Sequence, residues 1–334
     1  VLGMIATRIN YDMLNYLPDT METIQGQDIL LNDFGKGAFS MIIVEDMEPK
    51  DVSALKEKIE AVDHVDSVIW YDSIADISIP MDILPDKIKD AFNTDHSTVM
   101  AVFFDTSTSA DETMDAINTI RDVTNNQCFV SGMSAMVTDL KNLCEQEEPI
   151  YVAIAVVLAV VVMMLFMDSF LIPIIFLVSI GMAILYNLGS NYFLGEISYI
   201  TKALSAILQL GVTMDYSIFL WHSYNEQKVR FDGDKERAMA HAISNSIISV
   251  ASSSITTIAG FLSMCFMSFT LGADLGIVMA KGVVFGLIAC VTILPSLILV
   301  FDKAIEKTRH KQLMPKFDKV AKFITKRSWI FLII

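Results

Sequence analysis

An acidic residue beside a tyrosine, inside an apolar segment, is the feature of this sequence best suited to chemistry. Asp215 and Tyr216 lie in the run from Ala203 to Trp221, which is otherwise apolar with a helical period. Burying a carboxylate in a bilayer is costly, so such residues usually face a helix bundle or a hydrated path. Asp215 is therefore predicted to carry a proton reversibly, with Tyr216 supplying a neighbouring hydroxyl. The alternative is a carboxyl group that is hydrogen-bonded only for packing.

The next apolar segment carries small and hydroxylated side chains at helical spacing. The residues that share this character are Ser249, Ser253, Thr256, Thr257 and Gly260. Small residues allow helices to approach closely, and hydroxyl groups can hydrogen-bond to a neighbouring carboxylate. Gly211, one turn before Asp215, gives the acid-bearing helix a small residue on the same face. These residues are predicted to support the Asp215 site, and helix packing alone is the alternative.

Two lysines also fall within the apolar segments. Lys202 and Lys281 lie near the outer ends of their predicted helices, where a long cationic side chain can reach the polar interface. Pairing of Lys202 with Asp215 is disfavoured, because the intervening helix separates them by about 20 Å. Lys281 remains a candidate supporting residue of the site, by pairing or by reaching the interface.

The composition indicates a membrane protein. Of 334 residues, 53% are apolar and only 19% are charged, and the mean hydropathy is +0.51. Residues 1–149 hold 28 Asp and Glu against 9 Lys and Arg, a net charge of −19, whereas residues 150–334 hold 11 against 15, a net charge of +4. The acidic first part would repel phosphates, which argues against nucleic acid as a partner.

Five apolar segments are long enough to cross a bilayer core, which needs roughly 20 helical residues. They are predicted at about 150–167, 170–187, 199–222, 240–267 and 276–301. Basic residues concentrate in the loop 223–239 and the segment 302–327, so the positive-inside rule places both in the cytoplasm. Residues 7–149 then form an extracytoplasmic domain. The sequence thus predicts a multi-pass protein of the cytoplasmic membrane.

Short apolar fragments occur at both ends of the sequence. Residues 1–6 are interpreted as the tail of a preceding transmembrane helix, and residues 328–334 as the start of a following one. Residues 302–327 are then a cytoplasmic basic linker. On this interpretation the sequence is part of a longer, transporter-like protein.

The residues before the first span alternate strand and helix patterns. Strands are predicted at 38–45, 66–72, 97–106 and 127–132, and helices at 51–62 and 110–124. Two tandem β-α-β units indicate an α+β external domain of the ferredoxin-like, split βαβ type, followed by an all-α transmembrane bundle. A less regular insert is expected at 73–96, and a last helix at about 133–147 leads into the first span.

Local details of this domain add two expectations. Ser109 and Glu112 predict a capping box at the start of the second helix. The spacing of Cys128 and Cys144 leaves a disulfide between them open. No spacing typical of a catalytic, metal or cofactor site occurs in this domain, so neither a cofactor nor a metal is expected.

These features together resemble the resistance-nodulation-division (RND) superfamily, in particular its MmpL-type exporters of hydrophobic compounds and their sterol-sensing-domain relatives. The matching stretches are GVTMDYSIFL (211–220), SSSITTIAGFLSM (252–264), the run 276–299, and NYDMLNYLPD (10–19) at the entry to the external domain. The resemblance covers essentially the entire chain.

The resemblance implies export driven by the proton gradient, a ferredoxin-like porter domain outside the membrane, and an Asp-Tyr relay in the fourth helix. That relay maps onto Asp215 and Tyr216. It also implies a protein of two similar halves, of which this chain resembles the first. The expected partners are therefore a second transporter half in the same full-length chain, or a homo-oligomer, together with protons and a lipidic or hydrophobic substrate.

The functional hypothesis is proton-driven export of such substrates, without enzymatic activity. The main alternative is a lipid- or sterol-sensing membrane module that relays to a partner without transport. A third hypothesis, an intramembrane hydrolase, would combine Ser254 or Thr257 with His222 or His241. It is disfavoured because both histidines lie at predicted helix ends.

Overall fold

A computed structural model describes residues 2–74, 85–94, 96–124 and 126–310, together with residues 323, 325, 326 and 329. The strands are β1 (Arg8–Asn10), β2 (Phe39–Glu45), β3 (Val65–Ile69), β4 (Ser97–Phe104), β5 (Cys128–Ser131) and β6 (Glu196–Ser198). The helices are α1 (Leu2–Ala6), α2 (Glu22–Asn32), α3 (Pro49–Glu60), α4 (Asp86–Phe92), α5 (Asp111–Val123), α6 (Met133–Phe166), α7 (Leu171–Ser190), α8 (Tyr199–Arg230), α9 (Lys235–Ser263), α10 (Leu271–Val291) and α11 (Ile293–Lys307). Residues 75–84 and 95 of the predicted insert at 73–96, and most of the segments 302–327 and 328–334, lie outside the described residues.

The small sheet has four antiparallel strands in the order β3-β4-β2-β5. In β2, alternate residues point to one face, where Ile42 and Val44 are buried with Val102 and Phe104 of β4. Helices α3 and α5 cover this face, contributing Ile59 and other apolar residues to one core. The structure therefore has the strand-helix alternation that the sequence predicts for residues 38–132.

The predicted capping box of α5 is wrong. The helix is capped at Ala110, which has no side-chain oxygen to accept a hydrogen bond. Ser109 lies one residue too early and instead accepts a hydrogen bond from Asn15 Nδ2 at 3.3 Å. A tertiary contact with the N-terminal segment thus replaces the local cap. Cys128 and Cys144 are not joined by a disulfide.

The N-terminal segment is tied to the helical bundle. Strand β1 pairs in parallel with β6, which lies between α7 and α8. Helix α1, the predicted tail of a preceding span, packs so tightly on α7 that a Cβ at Gly3 would overlap the Gly189 carbonyl. The sheet domain and the bundle therefore meet where α8 begins.

Five helical segments are long and apolar enough to cross a membrane: Met133–Phe166, Leu171–Leu194, Tyr199–Arg230, Lys235–Phe266 and Leu271–Lys307. This confirms the polytopic helical bundle. The predicted helix at 133–147 and the predicted first span are one continuous helix, α6, with Pro149 inside it. The loop predicted at 223–239 shrinks to a turn because α8 runs on to Arg230 and α9 begins at Lys235, where Asp234 accepts a cap hydrogen bond from the Arg237 N–H.

The predicted last span, 276–301, is two helices. Helix α10 ends at Val291 and α11 begins at Ile293, with Thr292 in a non-helical conformation between them. Pro295 explains the break, because it has no N–H for the Val291 carbonyl and its ring crowds that carbonyl. The following helix continues beyond the predicted end to Lys307.

A polar cluster joins α8 to α11 at the end of the bundle away from the sheet domain. The buried Asp302 carboxylate accepts hydrogen bonds from Tyr224 Oη at 2.9 Å and Lys228 Nζ at 2.7 Å. Lys228 also pairs with Glu306 at 2.8 Å. Nearby, Arg309 forms an ion pair with Asp168. These contacts fix α11 against the C-terminal end of α8.

Candidate functional site

The acidic residue predicted to carry chemistry lies deep along α8. Asp215 is about 24 Å from the start of the helix at 1.5 Å per residue. Helix α8 begins sharply because Ser198 accepts a cap hydrogen bond from the Ile200 N–H. No other Asp, Glu, Lys or Arg lies between Lys202 and Glu226, so Asp215 stands in the middle of an otherwise uncharged stretch of a helix long and apolar enough to span a membrane.

Asp215 and Tyr216 open into a cavity of about 310 Å³ between α8 and α9. The hydroxyl groups that line it belong to Ser249, Ser253 and Thr257, and its remaining residues are Val212, Phe219 and Val250. The structure therefore brings together four predicted residues: Asp215, Tyr216, Ser253 and Thr257. In α9, the Thr257 hydroxyl donates to the Ser253 carbonyl at 3.0 Å, which leaves its lone pairs available to the cavity.

The Asp215 carboxylate is exposed on the flank of this bundle. Within the described part of the chain it makes neither an ion pair nor a hydrogen bond. Tyr216, in contrast, is buried, and its hydroxyl has no hydrogen-bond partner among the described residues. A carboxylate at membrane depth without a partner is a costly arrangement unless water or another protein surface completes it.

The other predicted supporting residues of α8 and α9 lie on the same exposed flank but outside the cavity lining. Thr256 and Gly260 are exposed on α9, and Gly211 is exposed on α8. A Cβ at either glycine would meet no described atom within 4 Å, so neither makes a close helix contact within this chain. The flank thus presents small residues around Asp215, and no residue that the structure describes packs closely against its two glycines.

Lys281 is not part of the Asp215 cavity. Its Nζ donates to Asn191 Oδ1 at the end of α7, on another side of α8. Lys202 forms an ion pair with Glu148 of α6 at 2.9 Å. Neither lysine pairs with Asp215.

Close helix packing occurs instead where α10 meets α7 and α8. A Cβ at Gly286 would come closer than 3.0 Å to Thr213 Oγ1, and one at Gly282 would lie 2.7 Å from Asn187 Nδ2. Here the structure reveals buried polar residues that the sequence analysis missed: Asn187, Asn191, Gln209 and Thr213. The available signal was spacing, because Gln209 and Thr213 are one turn apart on α8, as are Asn187 and Asn191 on α7 and its extension.

The described residues include no group of three or more His, Cys, Asp or Glu that could hold a metal ion. Outside the membrane spans, burial raises the pKa of the Asp12 carboxyl, although the Leu14 N–H, which donates to it at 2.8 Å, opposes the shift. Asp12 lies in the segment that connects β1 to the sheet domain.

Comparison with known proteins adds evidence of relationship. The sequence pattern of the MMPL family matches residues 53–330. A putative membrane protein of Methanocaldococcus jannaschii, MJ1562, is 24% identical over 79% of this chain and 74% of its own length. The apo-petrobactin exporter of Bacillus anthracis is 23% identical over 86% of this chain, and the siderophore exporter MmpL5 of Mycobacterium tuberculosis is 25% identical over 54%. The matches span only 42% and 20% of those two exporters.

Proposed function

Because the chain belongs to the MMPL family, we propose that it is part of a proton-driven membrane exporter of lipidic or other hydrophobic small molecules, siderophores included. Support for the substrate class comes from two relatives, one named an apo-petrobactin exporter and the other a siderophore exporter. The sheet domain would be the extracytoplasmic porter domain, of ferredoxin-like type, and the five spans would form one half of the transporter.

The observation that carries the proposal is the environment of Asp215. Its carboxylate lies at membrane depth in a cavity lined by Tyr216 and by hydroxyl groups of α9. A site of this kind can hold the carboxyl group in its charged form when water or a polar partner is present, and in its neutral form when the site closes. Alternation between the two forms can drive a change in helix packing, because each form favours a different arrangement of the helices around it.

The exposed flank around Asp215 supports a partner for this half. Gly211 and Gly260 leave room for close approach of another helix, and Ser253 and Thr256 offer polar groups beside it. We assign this flank to contact with a second transporter half or a second copy of the chain. Such a contact would enclose Asp215 and remove the cost of an unpartnered carboxylate in lipid.

The test is export by the full-length protein in energised inside-out vesicles, comparing wild type with Asp215→Asn. The matched control is Glu226→Gln, which makes the same change of charge at an exposed position near the far end of α8. We expect Asp215→Asn and a protonophore each to abolish export, and Glu226→Gln to retain it. Export by Asp215→Asn at the wild-type rate would refute the role of Asp215. Lipid binding without any export would instead favour the sensor hypothesis.

A further inference from the structure

A row of buried polar side chains runs along the interior of the bundle toward Asp215. It begins with Asn191 at the end of α7, continues through Asn187 and Gln209, and reaches Thr213 on α8 beside Gly286. Tyr216, one turn beyond Thr213 on a neighbouring face, lines the Asp215 cavity. The row therefore connects the end of the bundle near the sheet domain to the acidic site.

Each member of this row is more than nine-tenths buried, with exposures of 0% for Asn187 and Asn191, 1% for Thr213, 4% for Gln209 and 6% for Tyr216. Each also has a polar atom without a hydrogen-bond partner among the residues that the structure describes. These atoms are Asn191 Nδ2, Asn187 Oδ1, Gln209 Nε2, Thr213 Oγ1 and Tyr216 Oη. Burying such groups without partners is costly, so we expect water molecules to form hydrogen bonds with these five atoms.

The orientation of the amides is set by their existing contacts. Asn187 Nδ2 donates to Gln209 Oε1 at 3.0 Å, which leaves one acceptor and one donor unused. Asn191 Oδ1 accepts from Lys281 Nζ, which leaves its Nδ2 as a donor. The unused groups thus include donors, an acceptor and two hydroxyls that can do either, the mixture that bridging water molecules require.

Space for water exists at the middle of the row. A small cavity there has room for the centre of about one water molecule. Its polar lining comes from Asn187, Gln209 and Thr213, beside Gly282, and the rest of its lining is apolar: Leu208, Val212, Phe261, Met279 and Val283. Val212 borders both this cavity and the larger one around Asp215. The absence of a side chain at Gly282 and Gly286 lets α10 pack directly over Asn187, Gln209 and Thr213.

We propose that this row, Asn191, Asn187, Gln209, Thr213 and Tyr216, is a hydrated route along which protons reach Asp215 from the end of the bundle near the sheet domain. The inference rests on the proposed function, since it supplies the proton that Asp215 binds. A proton can pass through water and hydroxyl groups within hydrogen-bond reach of each other. The residues of the row position that water.

The experiment measures how fast Asp215 takes up a proton. The full-length protein in liposomes is subjected to a rapid acid jump, and its carboxyl stretching band is followed by time-resolved infrared spectroscopy. The band of Asp215 is identified as the one lost in Asp215→Asn. Protons are the only ligand in this measurement, so no transport substrate is needed.

Thr213→Val removes the hydroxyl and keeps the shape, and Gln209→Leu removes the amide. We expect each to slow proton uptake at least about tenfold, the effect of losing one hydrogen-bonding step, with the final amplitude of the band unchanged. Thr213→Ser restores a hydroxyl and should restore the rate. Ser246→Ala is the control, because Ser246 is also buried with an unpartnered hydroxyl but lies on α9 toward the opposite end of the bundle.

Wild-type uptake rates in both Thr213→Val and Gln209→Leu would overturn the route while leaving the role of Asp215 intact. Equal slowing by Ser246→Ala would also overturn it, because the effect would then be general loosening of the bundle. If no carboxyl band disappears in Asp215→Asn, the proposed function itself fails. If Thr213→Val does not fold, Gln209→Leu decides the question: a wild-type uptake rate in that variant would overturn the route.

Discussion

The close contact of α10 with α8 gives a quantitative prediction for Gly286→Ala. The added Cβ would lie closer than 3.0 Å to Thr213 Oγ1, 3.3 Å from its Cγ2 and 3.4 Å from its Cβ. Thr213 is buried and β-branched, so its side chain has little freedom to turn away. Overpacking of this kind costs about 1–3 kcal/mol. Helix propensity acts in the opposite direction, because alanine is favoured over glycine by about 1 kcal/mol in a helix interior.

A matched control separates the two effects. Gly181→Ala, within the transmembrane helix α7, adds the same methyl group where no described atom lies within 4 Å. The difference in unfolding free energy between Gly286→Ala and Gly181→Ala should therefore be about 1–3 kcal/mol, from the overlap alone. The assay is thermal unfolding of the purified protein in detergent, followed by circular dichroism.

A double substitution tests the cause. Thr213→Ala removes Oγ1 and Cγ2 and leaves only a contact at 3.4 Å, which is ordinary van der Waals distance. Gly286→Ala should therefore cost much less in the Thr213→Ala background than in the wild type. Equal stability of Gly286→Ala and Gly181→Ala, or the same cost in both backgrounds, would refute the packing argument.

Two further predictions concern buried carboxylates. Asp302→Ala should destabilise the protein by about 3 kcal/mol in the same assay, because it leaves the Lys228 cation and the Tyr224 hydroxyl without their buried partner. The control is Glu306→Ala, at an exposed position, which should cost about 1 kcal/mol or less. Burial raises the pKa of Asp12, so the folded state binds its proton more tightly than the unfolded state and this group's contribution to stability falls as pH rises above its unfolded pKa. Asp12→Asn keeps an oxygen for the Leu14 N–H and should raise the thermal midpoint at pH 7, with no gain near pH 3, where the carboxyl group is protonated in both states. An unchanged midpoint at pH 7, or a gain that persists at pH 3, would contradict this.

The elements of the fold were largely predictable because each rests on a local pattern. Alternation in β2 and helical periodicity in α5 locate the sheet domain, and apolar length locates the five spans. The predicted capping box of α5 was wrong because a contact with a distant segment engages its serine. Ser109 was an acceptable cap by its spacing, but its side chain binds Asn15. The break before α11 has a local cause instead, because Pro295 has no N–H for the Val291 carbonyl and its ring crowds that carbonyl.

Some residues of the candidate site were likewise predictable from the sequence, and others were not. Asp215 stood out because one charge in an apolar run is conspicuous, and the hydroxyl groups of α9 could be grouped by helical spacing. The structure places Ser253 and Thr257 in its cavity. Asn187 and Gln209 are uncharged and lie on different helices, so nothing in the sequence connects them. In the fold they form a hydrogen bond, and Gly282 of α10 packs closely over both.

The two sides of α8 place its polar residues in different environments. On one flank Asp215 is exposed and requires an external partner or water. On the other, Gln209 and Thr213 are buried with unused polar atoms. A small rotation of α8 toward a partner bundle would enclose the carboxylate, while the glycines of α10 limit how far Thr213 can move. Protonation would remove the cost of enclosing Asp215, so the charge state of one side chain could select between two packings of the same helix.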